Sequence, residues 1–411
     1  MLVLWPVIAY MGAQGYSGAV AIAALLGLFF VRVPNLDRLT IIGAAFTLWV
    51  VIASFWGPEA EGLLVGDLGA GSFSIEMPGV RFALTALAGL GIFVATGRVI
   101  IGTSRRSLKV IVGAGFVQFM SVVITALFMA QILALLAPIS DPVREMPQNL
   151  MRNANAFLML LPFLLAWVWH REASPKWAFA AIGMALASFV AFILTGTQTA
   201  LMGMVLMLLA MAIVKHFPVN GFKIICGSLA AYIMAAPLLF CVGVAHLRDL
   251  GLPLPKSFFS RSYSWELVGT KIAESPLLGH GPEASQVWTD TFGDHPEWLA
   301  DAAARYGSEY AWQVYRVIPI HPHNMSLQIW AETGLVGAIL AAGFVLALGW
   351  RLKAPSDWPS ISRYAAAGLI GACVAICSFS YSMWNEAFWG SVILASAVVF
   401  LQARQDGRDE A

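Results

Sequence analysis

Apolar stretches of about 20 residues recur along the whole chain, and each is long enough to cross a bilayer as a helix. They fall at 2–15, 17–31, 39–56, 80–97, 108–137, 153–169, 177–195, 199–214, 222–245, 324–350, 363–381 and 383–402. The first two are short enough to form one re-entrant hairpin, so the expected number of spans is 11 or 12. In hydrocarbon every backbone N–H and C=O must be satisfied within the segment, which makes helices the natural solution for such runs. The expected fold class is therefore all-α, a polytopic integral membrane protein. Charged side chains make up only 11% of the 411 residues, against about 25% in a soluble domain. That excludes an ordinary soluble enzyme and a disordered chain, and a net charge of +1 excludes a nucleic-acid binder. Cys226, Cys241, Cys373 and Cys377 lie in apolar runs without metal or disulfide spacing and read as small buried hydrophobes. No cleavable signal peptide is expected, because the first basic residue is Arg32.

Lys and Arg in the connections set the orientation. One alternate set holds Arg32, Arg38, Arg98, Arg105, Arg106, Lys109, Arg171, Lys176, Lys215, Lys223, Arg351, Lys353, Arg363, Arg404 and Arg408. The other short connections hold only Arg81, Arg144 and Arg152. Fifteen against three predicts both termini on the cytoplasmic side. It also divides the chain into 1–245 with about nine spans, a large loop at 246–323 facing outward, and 324–411 with about three spans. The loop is the one soluble-looking piece, and its Phe258, Phe259, Tyr263, Trp265, Trp288, Trp298 and Trp312 predict a partly helical, ordered segment.

The densest group of chemically capable residues is His321-Pro322-His323-Asn324, followed by Ser326, Gln328 and Glu332-Thr333-Gly334, at the mouth of the tenth span. Asn324, Gln328 and Glu332 recur every four residues and predict one polar stripe on the helix. Such groups are costly inside a membrane helix unless they face a cavity or a partner, so the stripe should point inward. His323 would then be the last loop residue, able to exchange a proton near neutral pH. A plainer reading makes Asn324 an N-cap and the histidines interfacial polar groups. A metal reading draws on His321, His323, Asp294 and His295, although no H-E-x-x-H spacing is present. A second stretch runs from Arg261 through Trp265 to Glu274, with helix-compatible spacing ended by Pro276 and Gly279. An Arg at the start of that helix suits a phosphate or a diphosphate, while a solvated surface Arg is the plain alternative. Arg144, Arg152 and Arg81 stand at outer helix mouths, where each is individually more often a headgroup anchor. Thr195-Gly196-Thr197-Gln198-Thr199 reads as a tight turn.

Together these residues resemble the bacterial O-antigen ligase and polysaccharide polymerase family of membrane glycosyltransferases, the Wzy type. The resemblance rests on His321-Pro-His323-Asn324-Met-Ser-Leu327-Gln328-Ile-Trp-Ala-Glu332-Thr-Gly334-Leu335-Val-Gly337. It rests also on Arg261-x-x-x-Trp265 and on Ser275-Pro-Leu-Leu-Gly279-x-Gly281, over about residues 195–345. It implies a multi-pass protein of the bacterial inner membrane, embedded in its lipids. The implied reaction moves a glycan from undecaprenyl diphosphate to a sugar hydroxyl of lipid A-core or of a growing glycan, with no cofactor, nucleotide or metal. Carried over by position, His323 matches the family's essential His and Arg261 an Arg at the carrier diphosphate. His321, Asn324 and Gln328 are the adjoining candidates for substrate contact. Where members commonly have Ser-Arg and a small residue, this chain has Thr197-Gln198-Thr199, so Gln198 brings a hydrogen bond but no charge. Arg152, Arg144 and Arg81 are the cations that would compensate. Two other classes compete: a transporter or flippase of lipid-linked sugars, and a metal-dependent lipid-diphosphate phosphatase. Ionisable groups clustered at the outer mouths, rather than at mid-membrane, weigh against transport.

Overall fold

The computed structural model describes residues 13–27, 29, 37–58, 77–96, 101–136, 146–170, 175–252, 254–352 and 360–409. Eleven apolar helices lie among them: α1 (Ala13–Gly27), α2 (Arg38–Ala53), α3 (Pro78–Thr96), α4 (Ile101–Leu136), α5 (Met146–Trp169), α6 (Pro175–Leu194), α7 (Gln198–His216), α8 (Gly221–Ala236), α12 (Met325–Arg351), α13 (Ser360–Phe379) and α14 (Glu386–Asp409). The outer loop supplies α9 (Lys256–Glu274), α10 (Pro296–Tyr306) and α11 (Glu309–Gln313). Nine of the described helices are long and apolar enough to cross a membrane, and Asn153–Trp169 of α5 forms a shorter apolar stretch. The chain is an all-α polytopic membrane protein. The expected span at 2–15 falls almost wholly outside the described residues.

Local chemistry explains the helix ends. Asp37 caps α2 by accepting a 2.8 Å hydrogen bond from the Thr40 amide. Pro78 and Pro175 open α3 and α6, where a missing N–H leaves no bond unmade. α8 runs on through a π-helical turn at Pro237–Val244 and ends in Ala245–Asp249. From Ala156 to Trp169 α5 is apolar all round, with Phe157, Leu158, Leu161, Phe163 and Leu164 at 0–1% exposure.

The outer loop folds into a cap on one face of this bundle. Phe259, Tyr263, Trp265, Phe292 and Trp312 form its core together with Leu327 and Ala331 of α12, so cap and membrane helix share one apolar cluster. Arg248, at the end of the helical run that begins with α8, ties the cap down. Its guanidinium lies 2.8 Å from Glu266, 2.9 Å from Asp249 and 3.8 Å above the Tyr263 ring.

α12 is broken at Gly334, whose φ of 65° and ψ of −168° belong to a region only glycine occupies readily. The break is filled by the chain segment Pro276–Gly281. The amides of His280 and Gly281 donate to the carbonyls of Ala331 and Glu332 at 3.0 and 2.8 Å, and those of Leu335 and Val336 donate to Pro276 and Leu277 at 2.9 and 3.4 Å. Contact is backbone against backbone. A Cβ on Gly334 would lie 2.2 Å from the Leu277 oxygen, and one on Gly279 (φ 70°) 2.5 Å from the Glu332 carbonyl carbon. Indoles reinforce the joint, with Trp49 donating to the Thr333 carbonyl at 2.9 Å and Trp56 to the Gly279 carbonyl at 3.2 Å. Gly334→Ala should therefore cost at least about 3 kcal/mol in backbone strain and lost docking. The expected result is a clear drop in melting temperature and membrane yield, and wild-type thermal stability would refute this account of the joint.

Candidate functional site

α9 starts at Lys256, immediately after Pro255, five residues earlier than the sequence spacing suggests. Arg261 therefore sits in the second turn rather than at the helix start. Trp265 lies one turn further on, on the same side of the helix. Fully buried, it donates from Nε1 to the Pro322 carbonyl at 2.9 Å. Ser264 donates to the Val317 carbonyl. These bonds hold Val317–Asn324 as a fixed strap across the mouth of α12.

Two half-buried imidazoles stand on that strap, with ring centroids 4.2 Å apart. His323 has a left-handed backbone, φ 53°, which is uncommon outside glycine. In that conformation its amide donates to Nδ1 of His321 at 3.1 Å. Nδ1 of His323 lies 2.9 Å from the Ser380 carbonyl at the end of α13. A carbonyl only accepts, so Nδ1 carries the proton and Nε2 of the neutral ring is the acceptor. Burial holds His323 below its ordinary value of 6.5, opposed by the Ser380 bond and assisted by the charge of Arg261. Burial, then His323 and Arg261, depress His321 further, to about 3. Both rings are thus neutral near pH 7, beside a cation that acts on both.

Arg261 is half-buried, and no carboxylate pairs with it among the described residues. Burial lowers its pKa while the nearby Tyr315 opposes the shift, yet a guanidinium stays charged throughout the accessible pH range. The outer-face arginines Arg81 and Arg248 differ. Arg81 lies 2.6 Å from Glu283 and 3.2 Å from Glu386, and Arg248 is held by the two carboxylates named above. The structure thus engages Arg81 in an ion-pair bridge between α3, the cap and α14, instead of leaving it for an anion. Arg144 and the side chain of Arg152 lie outside the described residues. Gln198 is the exposed first residue of α7, after a turn closed by Thr195 and Thr197 hydroxyls 2.8 Å apart.

The predicted polar stripe is present and faces inward, with Asn324, Gln328 and Glu332 at 0–1% exposure. Its groups bind one another and the protein. Asn324 caps α12 through the Leu327 amide at 3.0 Å, and its Nδ2 donates to the Tyr232 hydroxyl at 3.3 Å. Gln328 donates to Ser382 Oγ at 3.0 Å and accepts from the Met383 amide at 2.8 Å. Glu332 accepts from the amides of Glu283 (2.8 Å) and Ser285 (3.2 Å), the Ser285 hydroxyl (2.6 Å), Gln328 Nε2 and the Trp384 indole. Asn324 and Gln328 are therefore positioning groups in this structure, already engaged before any substrate arrives.

For a metal, Asp294 and His295 would have to join the His pair. Asp294 instead accepts from the Thr291 amide and hydroxyl, and His295 stacks on Trp298 at 4.1 Å. Among the described residues, no group of three or more His, Cys, Asp or Glu is arranged to hold a metal ion.

The sequence reading missed the link Ser380–Asn385 between α13 and α14, which supplies the His323 acceptor and the partners of Gln328 and Glu332. Its Ser380, Ser382 and Asn385 between two apolar runs were the available signal.

Residues 150–342 match the model of the Wzy_C family, described as O-antigen ligase. That match takes in just under half of the chain, and over it the sequence is similar to the O-antigen ligase family. It is 27% identical over 243 residues to a Rickettsia typhi protein named as a polysaccharide ligase, covering 58% of this chain and 49% of that protein. Similarly named proteins of Rickettsia bellii and Rickettsia prowazekii are 30% and 26% identical. Those matches cover 40% and 51% of this chain, and 35% and 45% of the relatives. The matched stretch thus spans less than half the length of each of these relatives. The family-model segment 150–342 contains both interlocked motifs and the whole His strap.

Replacing Trp265 by Phe keeps an aromatic ring but strands the buried Pro322 carbonyl, at about 1–3 kcal/mol, and leaves part of the indole volume empty. Hydrogen exchange of the strap amides should accelerate in Trp265→Phe while the rest of α9 stays protected. Unchanged strap exchange would show that the indole bond does not hold the loop.

Proposed function

We propose that the His strap and Arg261 form the reacting centre of a membrane glycosyltransferase, either an O-antigen ligase or a surface polysaccharide polymerase. The donor is a glycan on undecaprenyl diphosphate, and the acceptor a sugar hydroxyl of lipid A-core or of a growing glycan. The chemistry takes place on the face carrying the cap, which the charge count assigns to the periplasmic side of the bacterial inner membrane, with both termini cytoplasmic. The cap at 246–323 is read as the substrate-handling unit between the two sets of spans. The observation that carries this reading is the pairing of a neutral imidazole, whose Nε2 is an acceptor, with a half-buried guanidinium that no carboxylate among the described residues neutralises.

A sugar hydroxyl is a weak nucleophile until its proton is taken, and diphosphate leaves well only when its growing charge is stabilised. His323 accepts the proton at Nε2, while the Ser380 carbonyl holds the ring through Nδ1–H and favours the imidazolium that forms. Arg261 donates to the departing diphosphate oxygens in a poorly hydrated site, where charge-assisted bonds are strong. The acceptor oxygen bonds to the anomeric carbon as the carbon–oxygen bond to the diphosphate breaks. A single displacement of this kind inverts that carbon. His321, neutral and with its ring tilted 58° to that of His323, stands beside the base without competing for the proton. No step requires a metal or a cofactor.

His323→Ala should reduce transfer by 10²–10⁴-fold, in the range of a lost general base, and Arg261→Ala by about 10²–10³-fold. Both variants should still reach the membrane. The assay is transfer from a purified lipid-linked donor in nanodiscs, and full activity in His323→Ala would overturn the mechanism.

The pH profile supplies a second test. A base must be unprotonated, and the folded-state pKa of His323 lies below 6.5. The midpoint of the acid limb should therefore fall below pH 6.5. An acid limb centred above 6.5 would exclude His323 in this environment as the base.

A further inference from the structure

His323 is held on both sides along the chain. Before it, the Pro322 carbonyl takes the Trp265 indole at 2.9 Å. After it, Asn324 caps α12 through Oδ1, which accepts from the Leu327 amide and leaves Nδ2 as the atom turned away from the helix. That Nδ2 donates to the hydroxyl of Tyr232, on α8, at 3.3 Å. The same hydroxyl donates at 2.8 Å to Ser378 Oγ, in the last turn of α13. One oxygen therefore joins α8, the cap of α12 and α13. It does so beside both ends of a single hydrogen bond. Asn324 follows His323 directly, and Ser378 lies just before Ser380, whose carbonyl accepts from His323 Nδ1 at 2.9 Å. Ser380 stays tied to α13, its amide donating to the Ile376 carbonyl at 3.0 Å.

Local sequence makes Tyr232 a rigid post. In an α-helix the Ile233 carbonyl would accept from the amide of residue 237, but Pro237 has none. The Trp330 indole of α12 takes that carbonyl at 2.8 Å, which pins α8 to α12 next to Tyr232. The chain then widens into the π-helical turn Pro237–Val244. From this turn Phe240 meets the Tyr232 ring edge-on at 5.7 Å and the Trp265 ring at 4.8 Å. Both anchors of the strap thus lean on one phenylalanine. Asn324 at 0% exposure and Ser378 at 3% have no bulk water to turn to if the hydroxyl is removed.

We propose that Tyr232 is a positioning residue for glycosyl transfer: its hydroxyl clamps Asn324 to Ser378 and so sets the His323 ring against the Ser380 carbonyl. The inference rests on the reading of His323 as the base. A neutral imidazole carries its proton on either nitrogen, and its hydrogen bonds select which. With Nδ1–H given to Ser380, Nε2 is free for the proton of the acceptor hydroxyl. A drift of about 0.6 Å between ring and carbonyl takes the contact out of hydrogen-bond range and admits the Nε2–H form. That form cannot take a proton at Nε2. Tyr232 acts only through His323, without touching donor or acceptor.

The test uses the full chain in nanodiscs with the purified lipid-linked donor, beside magic-angle-spinning NMR of protein labelled at the histidine nitrogens. The His323 signals are assigned by their loss in His323→Ala. In wild type near neutral pH they should comprise one protonated and one unprotonated nitrogen. Tyr232→Phe keeps the ring against Phe240 and removes only the hydroxyl. Its kcat should fall about tenfold, as for a displaced reacting group, with KM for the donor unchanged. The two His323 signals should draw together as the second tautomer enters. Ser378→Ala, which removes one arm of the clamp, should do the same to a smaller degree and add nothing in the double variant. Unchanged kcat in a folded, monodisperse Tyr232→Phe would overturn the proposal. So would a lower kcat with wild-type His323 signals, since the hydroxyl would then act elsewhere. Full activity in His323→Ala would overturn the base reading itself, and it is told apart because the His323 signals of Tyr232→Phe would still shift.

Discussion

A carboxylate buried with no exposure at all is tolerated in a membrane protein only when donors replace its water. Glu332 meets that condition with five donor groups from three parts of the chain: its own helix, the cap segment at Glu283–Ser285, and the link at Trp384. These elements are far apart in sequence and cannot separate without stranding the charge, a disruption typically costing several kcal/mol. The broken backbone of α12 lies directly beside this point. Carbonyls freed by the break at Gly334 accept from the amides of residues 280–281, so the charge lock and the backbone joint act on the same two segments. Rigid placement of the strap above them follows, because Asn324 and Gln328 stand on the same buried stripe.

Against this frame the distribution of cations acquires meaning. Arg248 and Arg81 are neutralised by carboxylates and serve assembly, one fastening the cap and the other joining α3, the cap and α14. Arg261 keeps its full charge in a half-buried setting beside two neutral imidazoles. Uncompensated positive charge of this kind is unfavourable for stability and favourable for an incoming diphosphate. That asymmetry, rather than the number of arginines, marks the site.

Much of this was legible in the chain. The apolar runs predicted the helices, with α4 beginning about seven residues earlier than expected and α9 five. The inward polar stripe of Asn324, Gln328 and Glu332 followed from four-residue spacing and the penalty for polar groups in lipid. The plain reading of Asn324 as an N-cap also holds, and the same atom that caps cannot be free for substrate. Arg81 was legible as an outer cation but not as an ion-paired one, because Glu283 and Glu386 lie about 200 and 300 residues away. The metal reading from Asp294 and His295 depended on nearness in sequence, which the fold turned into a local cap and a ring stack.

Residue types and their periodicity by themselves determined that the chain crosses the membrane repeatedly, that it carries one long ordered segment between spans, and that His323 and Arg261 are the groups to examine. Those are consequences of hydrophobicity and of side-chain chemistry, which are local properties. Tertiary structure alone decided the tautomer of His323, through a carbonyl 57 residues away. It alone decided that Arg261, unlike Arg81 and Arg248, has no carboxylate partner among the described residues, and that the glycine-rich segment at 276–281 completes the broken helix at Gly334. Each of these depends on backbone and charged groups meeting across long loops, and such meetings are fixed by packing and not by sequence spacing.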